Sequence, residues 1–319
     1  SNEPRGHFVV YIQRLKANGR PIGSPTQVSV DDPTSNLSND FPQIVFNSGT
    51  GNYTVFWLRN GSEAGLYGAV LRGDLSFVNR GIFIRRTEPE GNSGRAPIIL
   101  DLAYHPLTGK IVILFYQYRP GFTTSTNPDY DYFVGVFNQD LSGIQPASFQ
   151  KLNPNVVKGN GSGRIHFLPE GTGVIAYADS SNIKLRKISP ALKISGPVYA
   201  AFKPPLTNQK LFHPAIAFSN GTSGLRGIVI AAQDPSNNEA NGTIWAQELD
   251  AQARPFGSPF SVERNFDRMG EQRLVSIGSN ASSPIYRFAS VYVHGVQRDI
   301  PPGPTESSGL ILLNFGFNH

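Results

Sequence analysis

Ile12-Gln-Arg-Leu-Lys-Ala-Asn-Gly-Arg-Pro-Ile-Gly-Ser-Pro-Thr-Gln-Val28 and Ala246-Gln-Glu-Leu-Asp-Ala-Gln-Ala-Arg-Pro-Phe-Gly-Ser-Pro-Phe-Ser-Val262 are two copies of one pattern. Nine of their 17 positions are identical: Gln13/Gln247, Leu15/Leu249, Ala17/Ala251, Arg20/Arg254, Pro21/Pro255, Gly23/Gly257, Ser24/Ser258, Pro25/Pro259 and Val28/Val262. Each copy reads as strand, turn, strand, with turn-forming residues between short apolar runs.

Looser copies of the same hairpin begin at Tyr67, Val134 and Ile183. A second hairpin type alternates with the first. Its opening strands are Phe41–Phe46, Ala96–Leu100, Arg164–Phe167, His213–Ala217 and Arg273–Ser276. In three of these a proline stands at the start, where a missing N–H is tolerated. Two alternating hairpins make a four-stranded meander, and five meanders at intervals of about 50–65 residues make a propeller. The fold expected is therefore all-β, a β-propeller of five four-stranded blades over residues 1–319, with six blades as the alternative. The chain opens on the second hairpin of a blade and ends on the first of one, so the N- and C-terminal strands would close one blade together and remove exposed sheet edges. Residues 308–319 read as an extra strand: either the strand assignment of the closing blade is shifted, or the strand pairs with a neighbouring subunit.

Composition agrees. With 33 Gly, 25 Pro and only 16% charged residues, turns are abundant and long amphipathic helices are not expected. No apolar run is long enough for a membrane helix, so no membrane insertion is expected. The absence of cysteine excludes disulfides and thiolate-bound zinc. A net charge of +5, scattered along the chain, is no nucleic-acid footprint. It leaves acidic glycans as conceivable partners.

Seven Asn-x-Ser/Thr acceptor triplets begin at Asn36, Asn52, Asn60, Asn160, Asn220, Asn241 and Asn280, against roughly three by chance. They point to a secreted, extracellular glycoprotein carrying N-linked glycans. The hairpin pattern also resembles extracellular propeller repeats of the form YGQRLDAxGxPxGxPFQV, through Tyr67, Gly68, Leu15, Gly19, Pro21, Gly23 and Pro25. That resemblance implies a propeller outside the cell and brings no catalytic motif. As a glycosylated propeller, the chain is also similar to the core-ring subunits of sponge aggregation factors, without a motif that marks them. This implies a ring-forming, calcium-linked adhesion molecule.

Candidate sites are few. Asp129, Asp131, Asp234 and Glu239 lie in acidic clusters able to supply oxygen ligands to calcium. Arg72-Gly73-Asp74 is a cell-attachment tripeptide at a hairpin tip, although Gly-Asp also makes the turn by itself. A glycosidase would need paired carboxylates where inner strands converge. Asp101 lies on an inner strand and Asp40 and Glu271 at the edges of others, all readable as solvated turn residues. No catalytic residue stands out. The expectation is a non-enzymatic structural or adhesion protein that self-associates or binds other matrix proteins, with a lectin-like propeller as alternative and a glycoside hydrolase behind it.

Overall fold

The computed structural model describes residues 8–30, 38–60, 64–86, 98–118, 129–142, 149–153, 157–158, 161–179, 182–203, 211–221, 224–233, 242–266, 269–276, 287–294 and 315–316. Among these there is no helix. The protein is an all-β propeller of five blades. It divides into two compact units, Ser1–Val157 and Lys158–His319.

In the first unit, β1 (Tyr11–Leu15) and β2 (Pro21–Gln27) form a two-stranded sheet. The first blade is β3 (Ser38–Asn47), β4 (Asn52–Asn60), β5 (Gly65–Leu71) and β6 (Phe77–Arg86), in that order. The second runs through β7 (Ile98–Tyr104), β8 (Ile111–Tyr118), β9 (Asp129–Phe137) and β10 (Gln150–Lys151), with β11 (Val157–Lys158) also on β9. In the second unit, β12 (Gly163–Phe167), β13 (Gly173–Asp179), β14 (Asn182–Ile188) and β15 (Ile194–Ala200) make one blade. Another is formed by β16 (Leu211–Gly221), β17 (Gly224–Gln233), β18 (Gly242–Leu249) and β19 (Pro255–Phe266). The last sheet is β20 (Met269–Ser276), β21 (Arg287–His294) and β22 (Phe315–Gly316). Of residues 308–319 only β22 is described, and it pairs with Arg287 and Phe288 of β21.

First strands of successive blades are neighbours, β3 beside β7 in one unit, β12 beside β16 and β16 beside β20 in the other. Cores form where blade faces meet. Phe56, Leu58, Leu66 and Val70 of the first blade pack on Ile111, Ile113 and Phe115 of the second. Val174, Ala176 and Ala178 meet Ile216, Phe218, Val229 and Ala231 in the same way. The second strands β4, β8, β13 and β17 are buried on both faces, which explains their unbroken apolar runs such as Ile111–Phe115.

The repeated hairpin has one five-residue turn. In Arg72–Ser76 the Leu75 amide donates to the Arg72 carbonyl and the Arg72 amide to the Ser76 carbonyl. The same pair of bonds closes Lys16–Arg20, Ser189–Lys193 and Asp250–Arg254. The fourth residue is left-handed in each: Gly19 (φ 80°), Leu75 (70°), Leu192 (59°) and Ala253 (58°), as is Leu141 (60°) in the related turn Asn138–Ser142. Leucine tolerates that conformation because its side chain is buried; Leu75, Leu141 and Leu192 are all under 9% exposed. Burial worth about 1.5–3 kcal/mol exceeds a left-handed penalty of about 1–2 kcal/mol.

Candidate functional site

Four of the first strands are irregular near their start. Register shifts fall between Asp40 and Gln43 in β3, Ile99 and Asp101 in β7, Phe212 and Ala215 in β16, and Met269 and Gln272 in β20. Bulges of this kind re-aim side chains and recur next to active sites. Sequence reading places Pro42 and Pro214 at strand starts. In the structure both lie inside strands, within the bulges, and the residue before each is left-handed: Phe41 at φ 52° and His213 at φ 48°. A residue preceding proline ordinarily takes extended backbone, and a non-glycine left-handed one is strained. The His213 amide is held there by the Ser162 hydroxyl of the neighbouring blade, 3.1 Å away.

All three acids lie on strands: Asp101 as the sequence leads one to expect, Asp40 and Glu271 within strands and not at their edges. Asp101 follows its bulge, opposite Leu114, and is only 7% exposed. Asp40 begins the bulge of β3, opposite Leu58. Glu271 lies within the bulge of β20. Asp40 and Asp101 belong to neighbouring strands of the first unit. In the second unit, Arg164 on β12 occupies the same ladder position in its blade as Asp101 in its own, opposite Ala176 rather than Leu114. It is buried at 6% exposure and donates to the Gly163 carbonyl at 2.8 Å. Two residues on, the His166 ring lies 5.6 Å from that of Phe218, and burial pulls its pKa down to about 4, so it is neutral at physiological pH. Sequence reading misses Arg164, Ser162 and His213; the only available signal is the strand-plus-proline pattern around them.

The remaining sites fare differently. The Arg72-Gly73-Asp74 segment is one copy of the common turn. The Asp74 carboxylate accepts from the Ser76 hydroxyl at 2.7 Å and the Ser76 amide at 2.9 Å, which holds its pKa below the usual carboxylate value. Arg72 donates to the Ser76 hydroxyl and the Phe77 carbonyl. Asp140 makes the equivalent amide bond to Ser142, and its pKa is lowered for the same reason. Asp131 pairs with Lys151 at 3.0 Å and accepts from Asn153 at 3.3 Å. Asp129 opens β9. No group of three potential metal ligands occurs among the described residues. Asp234 and Glu239 lie outside the described residues, as do the acceptor asparagines Asn36, Asn160, Asn241 and Asn280. Asn52 opens β4, Asn60 closes it, and Asn220 lies near the end of β16.

No protein-family model matches the chain, and no curated protein matches it. Solved structures do resemble it. One is a GH43 β-1,3-galactosidase with galactodeoxynojirimycin, 11% identical, covering 91% of this chain and 96% of that one at a TM-score of 0.47. Another is an α-L-arabinofuranosidase from Lactobacillus brevis, 13% identical over 87% and 90% of the two chains, TM-score 0.44. A third is a fructofuranosidase from Schwanniomyces occidentalis complexed with fructose, 9% identical over 86% and 60%, TM-score 0.43. The neighbours are glycoside hydrolases. Against that finding, the expectation of a non-enzymatic structural or adhesion protein is corrected and withdrawn. The physical ground for it falls too, since Asp101, discounted as readily solvated, is buried on its strand, and Asp40 and Glu271 lie within strands and not at their edges.

Proposed function

We propose that the chain is a carbohydrate-active propeller of the glycoside hydrolase type, with Asp40 and Asp101 as its first candidates for the reacting carboxylates. The observation that carries this reading is the placement of both acids at bulges on adjacent inner strands of one unit. Glycosidic cleavage requires two carboxyl groups flanking the scissile bond. One protonates the leaving oxygen, and the other activates water or attacks the anomeric carbon. A carboxylate fixed beside a strand irregularity is oriented by the ladder on either side, as positioned acid–base chemistry requires. Glu271 stands at the same kind of irregularity in the second unit and is the third acid to test.

The test is sugar release from a panel of pyranosides and furanosides, including galactosides, arabinosides and fructosides. The expected result is turnover of at least one, with Asp40→Asn and Asp101→Asn each lowering kcat/KM by about 10²–10⁴-fold. Turnover left intact by both substitutions would refute the assignment of these residues. Glycan binding without turnover on any substrate would refute the hydrolase reading and leave a lectin.

A further inference from the structure

The four described blades with a complete second strand can be aligned by their ladders. Tyr53 of β4 pairs with Leu71, Ile111 of β8 with Phe137, Gly173 of β13 with Ile188 and Gly227 of β17 with Leu249. The next residue in each strand is therefore equivalent: Thr54, Val112, Val174 and Ile228. All four are fully buried, Thr54 at 1% and the others at 0% exposure. Three blades place a β-branched aliphatic side chain there, as a strand covered on both faces favours. The first blade places its polar isostere, and the Thr54 hydroxyl is buried with no hydrogen-bond partner. A buried hydroxyl left unpaired is a loss that valine would avoid. Folding therefore gives no reason for threonine at this position.

The sequence two residues back does. Asn52-Tyr53-Thr54 is an acceptor triplet in which the hydroxyl is what makes Asn52 a glycosylation site. Asn52 is half-buried at the β3–β4 hairpin, directly after Gly51. Its equivalents Lys110, Thr172 and Arg226 are not followed two residues later by a hydroxyl. We infer that Asn52 is an occupied N-glycosylation site and that Thr54 is present for the modification and not for the fold. In the transfer, the Asn52 side-chain nitrogen bonds to the anomeric carbon of an oligosaccharide. The bond from that carbon to the pyrophosphate of a lipid-linked donor breaks, and the amide proton leaves with the pyrophosphate. Modification precedes folding of the strand, so the later burial of Thr54 does not oppose it. The glycan would then mark the hairpin end of the first blade.

The experiment uses the full chain, secreted from eukaryotic cells behind an added leader and, in parallel, produced in bacteria without glycans. Enzymatic glycan removal in heavy-oxygen water, followed by peptide mass spectrometry, reads occupancy at Asn52. Wild type and Thr54→Ser are expected to carry label at position 52, and Thr54→Val to carry none. Made in bacteria, Thr54→Val is expected to melt about 2–4 °C higher than wild type. An unlabelled Asn52 in wild type overturns the inference. So does a bacterially made Thr54→Val that melts lower than wild type, because the hydroxyl would then serve the fold.

Discussion

The two near-identical hairpins, Ile12–Val28 and Ala246–Val262, share their local geometry and differ in almost everything that depends on neighbours. Both close the same five-residue turn. In both, the invariant glutamine reaches across the hairpin to the backbone beside a left-handed glycine. The Gln13 side-chain amide donates to the Ile22 carbonyl at 2.9 Å beside Gly23 (φ 69°), and that of Gln247 to the Phe256 carbonyl at 2.6 Å beside Gly257 (φ 67°). The glutamine thus serves the carbonyls that the outer-strand bulge turns out of the ladder. Yet Leu15 is 58% exposed and Leu249 fully buried. Strand β18 lies between β17 and β19, whereas β1 and β2 make a sheet of two. Identical residues fix the shape of a hairpin; the sheet that receives it fixes how much each side chain contributes.

The largest test of that contrast is truncation of the shared leucine. Leu249→Ala is expected to lower the unfolding free energy by about 2–5 kcal/mol, as core truncations do. Leu15→Ala is expected to change it by less than about 0.5 kcal/mol, the usual range for surface substitutions. Chemical denaturation measures both, and equal losses would break the comparison.

The seam that buries Leu249 also holds Phe218, against which His166 packs. His166 binds its proton more weakly when folded, so the unfolded chain holds more protons between about pH 6.5 and pH 4. Stability should therefore be complete above that window and fall as the pH drops through it, by at most about 3 kcal/mol, less whatever solvent reaches the ring. Denaturation midpoints over this range should flatten in His166→Phe.

Next come the glutamines. Gln247 is fully buried, and its oxygen also accepts from the Lys203 amide at 3.2 Å. Gln247→Ala should cost about 1–3 kcal/mol through groups left unpaired, and Gln13→Ala distinctly less, because water can replace its bonds. A smaller but equal effect is expected for Gly23→Ala and Gly257→Ala. At neither position would an added methyl meet an atom within 4 Å, so each should cost about 1–2 kcal/mol from left-handed backbone alone. Unequal losses would show that the local geometry is not shared. The smallest difference lies at the turn, where Asp250 pairs with Arg254 at 2.8 Å in an exposed bridge and Lys16 stands in the other copy. Removing the ion pair alone, by Arg254→Met, should lose less than about 1 kcal/mol, and the loss should shrink with added salt, whereas Asp250→Lys also removes the bonds its carboxylate accepts from the Gln252 and Arg254 amides.

Much of the fold is legible because it is written in turns. The Asp-Leu and Asn-Gly turn residues, the prolines and the alternating apolar runs locate hairpins from sequence, and the hairpin copy read as beginning at Ile183 is the observed β14–β15 pair. The bulges are not legible, because Phe41-Pro42 and His213-Pro214 look like strand starts until the ladder is seen to continue N-terminal to them. The candidate site is half legible. Asp101, between Leu100 and Leu102, can be placed on a strand from sequence, but not its burial; Asp40 and Glu271, with Asn39 and with Gly270 and Gln272 beside them, can be named but look like strand edges until the ladders are seen to run past them.

Sequence by itself determined the hairpins, their turn geometry and the acceptor triplets, since each depends on residues within a few positions of one another. Only the tertiary structure decided that Asp101 is buried, that Leu15 and Leu249 differ, and that the Thr54 hydroxyl has no partner. Each of those depends on which strand or blade lies alongside, and that is set by packing between segments far apart in the chain.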